Sequence, residues 1–270
     1  MKAWGMEDTS PVAAASAADL RARYLILVER ALLNAIHGEP AMEGFVRRAA
    51  MRLRHPWQTR AWAPRDFWPV KAHTMIGVKR LAHLRRLVEA TLTEGIPGDY
   101  IETGVWRGGA CILMRAVLAA YGVADRRVFV ADSFEGLPRP DAAKYPADRR
   151  DRLFKFDELA VSEAEVRRNF EAYGLLDDQV VFLKGLFKDT LPKLKGHPFA
   201  LIRLDGDMYE STLDALTSLY DGVSPGGYVV VDDYGILGCC RQAVHDFLGG
   251  RGLSPCIDDI DGQGVWWRKE

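Results

Sequence analysis

The chain has 270 residues, enough to bury the core of an enzyme-sized domain, with 48% hydrophobic and 27% charged residues. Its 36 basic residues nearly balance 37 acidic ones, so no net field points to nucleic acid or a membrane as partner. No run of about 18 apolar residues occurs, and the four cysteines lack the spacing of a zinc site or a disulfide scaffold. We therefore predict a cytoplasmic protein with reduced thiols.

The N-terminal part of the chain differs in pattern from the rest. A tail of small residues leads into apolar residues at helical spacing, which predict a helix over 18–36. The stretch 55–77 carries three tryptophans and three prolines, which break a regular helix and offer large apolar faces. It is either a clamp on the protein's own core or a lid over a ligand. We predict a helical extension with an aromatic lid loop over 1–70, and a main domain over 71–270.

From about residue 78 onward, short apolar strands alternate with helices. This alternation is typical of a parallel sheet covered on both faces, so we predict an α/β, doubly wound fold with a mostly parallel sheet. Ligands of such sheets bind where the carboxyl ends of the strands meet. The residues that follow each strand are therefore the place to look for a site.

The first two strand ends predict a nucleoside site. In IETGVWRGGA, Glu102 and Gly104 form a glycine turn whose acid would repel a pyrophosphate and suits an ammonium group. In FVADSFEGLP, Asp132 ends the next strand, where a carboxylate can accept the hydroxyl protons of a ribose. A turn that only packs, and an aspartate that only caps, remain the alternatives. An amine-bearing nucleoside such as S-adenosylmethionine fits both residues.

Two later strands end on acids, in LIRLDGDMYES and YVVVDDYG. On adjacent parallel strands Asp205, Asp232 and Asp233 converge, and three such carboxylates either titrate upward or hold a hard divalent metal, for which Mg²⁺ is the natural candidate. Capping of turns or helices is the alternative for all three, and Asp207 is either a fourth ligand or a helix cap. A metal beside a methyl donor predicts methylation of a metal-bound hydroxyl to a methyl ether.

Several longer motifs carry a family resemblance. They are HTMIGVKRL, GDYIETGVWRGGACILMRAVLAAYG, VADSFEGLP, LDGDMYEST, VSPGGYVVVDDY and AVHDF. Over about residues 70 to 268 the chain resembles the macrocin-type sugar O-methyltransferases of antibiotic biosynthesis. The resemblance implies a class I methyltransferase (Rossmann-like) fold, S-adenosylmethionine as donor, Mg²⁺, a homodimer, and a glycosylated small molecule such as a macrolide or aminocoumarin as acceptor.

The resemblance also implies roles for individual residues. Asp205 would act as general base, contact the donor and, with Asp232 and Asp233, hold the metal. The residues implied in donor binding are Met75 at the methionine moiety, Glu102, Thr103 and Gly104 in the turn, Asp132 and Ser133 at the ribose, and Gly185 and Phe187 at adenine.

Other features of the site stay open from sequence. Related catechol-type enzymes carry a lysine three residues after the first metal acid, but this chain has Met208 there, which favours a carboxylate base. His73 and His245 are alternative bases, although each fits a structural role better. The segment 138–160 matches the family least and is predicted to form a variable loop over the acceptor.

Two other classes of function use the same sheet. A nicotinamide-dependent oxidoreductase needs a glycine-rich pyrophosphate turn, which Glu102 and Trp106 disfavour. A non-catalytic nucleoside-binding module has no need of Asp205, Asp232 and Asp233.

Overall fold

The structure is a computed structural model that describes residues 15–38 and 69–270. Most of the tryptophan-rich stretch lies outside these residues, so its interpretation as a lid stays a prediction. Within the two described ranges, no helix combines the length and the apolar character that crossing a bilayer requires.

Seven α-helices are described. They are α1 (Ala17–Leu32), α2 (Gly77–Thr93), α3 (Gly109–Ala120), α4 (Glu163–Ala172), α5 (Phe187–Thr190), α6 (Tyr209–Leu219) and α7 (Gly238–Gly250). Helix α1 begins at a capping box, in which the Ser16 hydroxyl accepts from the Asp19 amide and the Asp19 side chain accepts from the Ser16 amide. The helix predicted to reach residue 36 ends at Leu32, where the chain enters turns.

The strands form one seven-stranded sheet in the order β3-β2-β1-β4-β5-β7-β6. They are β1 (Asp99–Thr103), β2 (Val128–Asp132), β3 (Val180–Lys184), β4 (Phe199–Leu204), β5 (Val223–Val231), β6 (Asp258–Asp259) and β7 (Val265–Arg268). Strands β1 to β5 pair in parallel, whereas β7 pairs antiparallel with β5 and with β6. The mostly parallel, doubly wound fold predicted from sequence is confirmed, and the antiparallel C-terminal pair is an addition to it.

Each face of the sheet carries its own apolar core. One face packs against α1, α2 and α3, with Leu25, Leu84 and Leu113 fully or almost fully buried. The other face packs against α6 and α7, with Leu216, Val244 and other apolar residues buried there. Because α1 contributes to the first of these cores, the N-terminal helix packs directly on the main domain. The Arg21 Nε also donates to the carbonyl of Ala120 at 3.0 Å.

Strand register places the charged residues Glu102 and Arg203 side by side in the sheet. Glu102 of β1 is the direct neighbour of Arg203 of β4, which in turn neighbours Val230 of β5. Side chains alternate along a strand, so Asp205 and Asp232 continue the same rows just past the strand ends. The guanidinium of Arg203 therefore lies among three carboxylates at the carboxyl edge of the sheet, those of Glu102, Asp205 and Asp232.

Candidate active site

A cavity of about 840 Å³ opens at the carboxyl ends of the parallel strands. All of the site residues predicted from sequence except Thr103 line it. These are Met75, Glu102, Gly104, Asp132, Ser133, Gly185, Phe187, Asp205, Asp232 and Asp233. Two predicted sets of residues, one for a nucleoside and one for a metal, thus face a single space.

The glycine turn after β1 requires glycine for two reasons. Gly104 has a φ of +84°, and a Cβ at this position would lie 1.8 Å from the carbonyl oxygen of Asp205. Its amide donates to the carbonyl of Ala131 at 2.9 Å. The turn therefore sits directly against the end of β4, so the predicted donor residues and the acid cluster are in contact through the backbone.

Glu102, predicted to face an ammonium group, has partners inside the protein. It is only 2% exposed, and its carboxylate accepts from Arg203 Nη1 and, at 3.0 Å, from the thiol of Cys111. Burial, opposed by the Arg203 charge, raises the pKa of Glu102 to about 7. The acid of the glycine turn is thus tied to the acid cluster through a shared guanidinium.

Asp132 lines the cavity and also holds two turns together. Its Oδ2 accepts from the Val105 amide at 2.8 Å, and its Oδ1 accepts from the Phe134 amide at 2.7 Å. Ser133 beside it donates its hydroxyl to the Gly136 carbonyl at 2.7 Å. A ribose would therefore share an aspartate whose orientation the backbone has already fixed.

The remaining predicted donor residues come from separate segments. Gly185, with φ +139°, follows β3, and Phe187 begins α5. Met75 lies in the segment just before α2. Thr103 is fully buried, its carbonyl accepts from the Asp205 amide at 2.9 Å, and it is not among the residues that line the cavity.

The acid cluster has the spacing of a cation site. Asp205, Asp232 and Asp233 each offer a carboxylate oxygen, and these oxygens all lie within 4.8 Å of one another. Asp232 and Asp233 are each 5% exposed, so the cluster is largely shielded from water. Burial first, and then the neighbouring carboxylates of Asp207, Asp205 and Asp232, raise the pKa of Asp233 well above its ordinary value. A divalent cation would relieve this accumulation of buried negative charge.

Two arginines at the cluster were not predicted from sequence. Arg203 is 1% exposed and contacts Glu102, Asp232 and, at 2.7 Å, the Oδ2 of Asp205. Arg80 of α2 contacts the other oxygen of Asp232. The sequence does indicate a special role for Arg203, because it is the charged residue of the otherwise apolar strand FALIRL. The sequence gives no such indication for Arg80, because it is one of four lysines and arginines in α2, of which Lys79 and Arg86 are exposed.

Asp207 and Met208 are fixed by the turn that follows β4. Asp207 has a φ of +58°, and its amide donates to Asp233 Oδ2 at 3.1 Å, so the turn orients one of the clustered acids. Met208 is fully buried at the N-cap of α6, which removes this position as a source of a base.

Both histidines considered as bases lie off the cavity lining. The Nδ1 of His73 is 3.0 Å from the Tyr173 hydroxyl, and its backbone carbonyl accepts from Gly109. The Nε2 of His245 is 2.7 Å from the Tyr234 hydroxyl on an exposed face. Neither histidine is among the residues that line the cavity, which is the arrangement expected for structural roles.

The model of the family described as Macrocin-O-methyltransferase (TylF) matches residues 22–269 of the chain. The chain belongs to this family. Its members are named as methyltransferases, so this protein is an O-methyltransferase, and neither the nicotinamide oxidoreductase nor the non-catalytic module is supported.

Relatives of this O-methyltransferase are similar along nearly their whole length. The 8-demethyl-8-(2,3-dimethoxy-alpha-L-rhamnosyl)-tetracenomycin-C 4'-O-methyltransferase of Streptomyces olivaceus is 51% identical, with 93% of this chain and 94% of that protein covered. Mycinamicin III 3''-O-methyltransferase of Micromonospora griseorubida is 46% identical, with 91% and 96% covered. The solved structure of the O-methyltransferase NovP superposes with a TM-score of 0.81 at 45% identity, over 92% of this chain and 99% of that one.

The segment predicted as a variable loop builds one wall of the macrocin-type cavity. It forms three short 3₁₀ helices, Pro146–Asp148, Leu153–Lys155 and Asp157–Leu159. Asp148 is fully buried, and its two oxygens accept from the amides of Tyr209 and Glu210 at 2.7 and 3.0 Å. Helix α6 has no capping side chain of its own, so this segment supplies its N-cap from a distance.

Asp148→Ala should therefore destabilise the protein. Two buried amides at the start of α6 would lose a charged acceptor, at a cost of about 2–3 kcal/mol, or roughly 4–12 °C in Tm. Thermal unfolding by circular dichroism measures the change. Asp151→Ala is the matched control, because Asp151 lies in the same segment and its carboxylate accepts from the local Leu153 amide at 2.8 Å. Equal loss of stability in both variants would contradict the capping role.

Proposed function

We propose that this O-methyltransferase transfers a methyl group from S-adenosylmethionine to a hydroxyl of a deoxysugar on a glycosylated natural product, and that the reaction depends on Mg²⁺. The observation that carries the proposal is the convergence, in one cavity, of a glycine turn with a strand-end aspartate and a cluster of three carboxylates within 4.8 Å. The first pair suits a nucleoside and the cluster suits a cation.

The charge at this edge favours bound cations. The carboxylates of Glu102, Asp205, Asp207, Asp232 and Asp233 line the cavity, and the guanidiniums of Arg80 and Arg203 pair with three of them. Because the carboxylates outnumber the guanidiniums, a divalent cation and a sulfonium would offset part of the excess negative charge.

Asp205, Asp232 and Asp233 would hold the metal, which when bound lowers the pKa of an acceptor hydroxyl and orients its oxygen. Asp205 is the general base we propose, because it is the most exposed of the three and its Oδ2 is bound by Arg203. The Asp205 carboxylate would then take the hydroxyl proton. The oxygen forms a bond to the methyl carbon as the carbon–sulfur bond breaks, which yields a methyl ether and S-adenosylhomocysteine.

An apolar wall next to the acid cluster supports a large acceptor. Leu153 and Phe156 are buried, and Leu137, Leu159 and Leu237 pack against them. All four of these leucines line the cavity. We infer that this wall contacts the part of the acceptor that carries the sugar.

The choice of sugar hydroxyl is the finer part of the proposal. We expect a sugar with a neighbouring hydroxyl that can share the metal. The name of the Streptomyces olivaceus relative instead specifies methylation at the 4' oxygen of a 2,3-dimethoxy sugar. An acceptor panel should therefore pair each vicinal diol with its O-methylated neighbour.

We further propose a cytoplasmic homodimer with an N-terminal extension over residues 1–70 and a methyltransferase domain over 71–270. The four cysteines are free, which suits a reducing compartment. Sedimentation velocity of the full chain tests the dimer.

Calorimetric titration with S-adenosylhomocysteine is the first test, followed by methyl transfer to deoxysugar-bearing acceptors with Mg²⁺ or with EDTA. Binding together with turnover that EDTA abolishes is the expected result. Turnover unaffected by EDTA would remove the metal from the proposal, and absence of donor binding would overturn it entirely.

The metal-free protein should lose stability as pH rises, and Mg²⁺ should reverse this loss. Burial raises the pKa of Asp232 from 3.8 to about 6 and that of Glu102 from 4.5 to about 7. Between these unfolded and folded values the native state binds more protons than the unfolded state, so the free energy of unfolding falls as pH increases.

Calorimetric Tm values with EDTA and with Mg²⁺ measure the effect, and the gain from Mg²⁺ should be larger at about pH 8 than at about pH 5. A gain independent of pH would contradict the role of these carboxylates. Replacing Mg²⁺ by K⁺ at equal ionic strength controls for screening.

A further inference from the structure

Both carboxylate oxygens of Asp232 are bound by arginines. Arg203 Nη2 contacts Oδ1 and Arg80 Nη1 contacts Oδ2. Arg203 also donates from Nη1 to Asp205 Oδ2 at 2.7 Å. Two of the three clustered acids thus have guanidinium partners on fixed oxygens, while Asp233 accepts on Oδ2 from the backbone amide of Asp207.

The two guanidiniums are themselves held by groups outside the cluster. Arg203 is cross-strand neighbour and ion-pair partner of Glu102, and only 1% of its surface is exposed. Arg80 donates from Nη2 to Gln263 Oε1 at 2.9 Å, and its Nε lies 3.2 Å from Asp261. These partners lie on β1 and next to β7, so each guanidinium is anchored to a part of the fold outside the cluster.

This arrangement restricts how the acids can bind a cation. A carboxylate that chelates through both oxygens must turn its plane toward the ion, and the arginines oppose that rotation at Asp232 and at Asp205. Ca²⁺ binds six to eight oxygens and commonly uses such bidentate carboxylates. Mg²⁺ is usually coordinated by one or two carboxylates together with several waters.

We propose that Arg80 and Arg203 determine metal selectivity: by binding one oxygen of Asp205 and both oxygens of Asp232, they disfavour chelation through both oxygens of either carboxylate, and so disfavour Ca²⁺ relative to Mg²⁺. The inference rests on the metal site of the proposed function and goes beyond it. The arginines act through the carboxylates, so they are positioning residues.

The test is calorimetric titration of the full-length protein, without donor or acceptor, with Mg²⁺ and separately with Ca²⁺. Arg203→Lys and Arg80→Lys keep the charge but remove the planar fork that fixes two partners at once. In either variant the ratio of the Kd for Ca²⁺ to the Kd for Mg²⁺ should fall by at least about tenfold, or 1.4 kcal/mol. Arg115→Lys is the matched control, since Arg115 is buried and binds Asp177 through two nitrogens outside the cavity.

An unchanged ratio in folded Arg203→Lys and Arg80→Lys protein would overturn the inference, as would an equal weakening of both metals. A fall of the same size in Arg115→Lys would overturn it too. If Arg203→Lys does not fold, Arg80→Lys decides, because Arg80 is less buried. If the wild type binds neither metal, the metal site of the proposed function is wrong. If the wild type binds Mg²⁺ but the ratio of the two Kd values is the same in the arginine variants, only the selectivity proposal is wrong.

Discussion

Asp205→Asn should lower the rate of methyl transfer by at least about 10³-fold, since it removes both the proposed base and one ligand of the cation. The amide retains the size of the side chain, but it can neither take a proton nor contribute negative charge to the cluster. Affinity for S-adenosylhomocysteine should change by less than about tenfold, because the proposed donor contacts lie mainly at the ends of β1 and β2. Single-turnover rates and calorimetric titration of the same preparations measure the two effects.

Asp189→Asn is a suitable control, because Asp189 is an exposed carboxylate of α5 outside the cavity lining. Its rate should match that of the wild type. Substantial Mg²⁺-dependent turnover in Asp205→Asn would assign the base to another residue. A loss of donor affinity as large as the loss of rate would show instead that the substitution had disturbed the adjoining Gly104 turn.

Asp132→Ala should have the opposite pattern and weaken donor binding first. Loss of the proposed charged acceptor for the ribose should cost about 1.5–3 kcal/mol, which corresponds to roughly 10- to 150-fold in Kd. The Tm should also fall, since the amides of Val105 and Phe134 lose their acceptor. Glu135→Ala provides a control in the same turn, because the Glu135 carboxylate is exposed.

Deoxy analogues separate the ribose contact from a general disturbance of the turn. S-adenosylhomocysteine that lacks a ribose hydroxyl should bind the wild type more weakly than the parent compound does. In Asp132→Ala the two compounds should bind alike, because the partner of that hydroxyl is gone. If removal of the ribose hydroxyl weakens binding to Asp132→Ala as much as it weakens binding to the wild type, the ribose contacts another residue.

The sequence was sufficient for the family, the parallel sheet and the approximate strand ends. Each of these depends on local patterns: apolar runs, glycine turns and acids that directly follow a strand. The proximity of Asp205 and Asp232 could be predicted because adjacent parallel strands end at the same edge of a sheet. Strands β4 and β5 are neighbours in the structure.

The arginines that pair with these acids could not be predicted from local sequence patterns. Arg203 meets Glu102 only through the register between β1 and β4, and Arg80 reaches Asp232 from a helix that precedes it by about 150 residues. The antiparallel strand β7 was missed for a related reason. Its four residues are too few for a periodic signal, and pairing with β5 is what makes them a strand.

The long-range cap that Asp148 provides has a consequence for changing the acceptor range of this enzyme. Since the segment is fastened to α6 by both oxygens of one carboxylate, the residues around that aspartate can be exchanged for those of a relative as a cassette. Such a chimera would keep its attachment to the helix that follows the proposed catalytic aspartate, while presenting a different wall to the proposed glycoside acceptor.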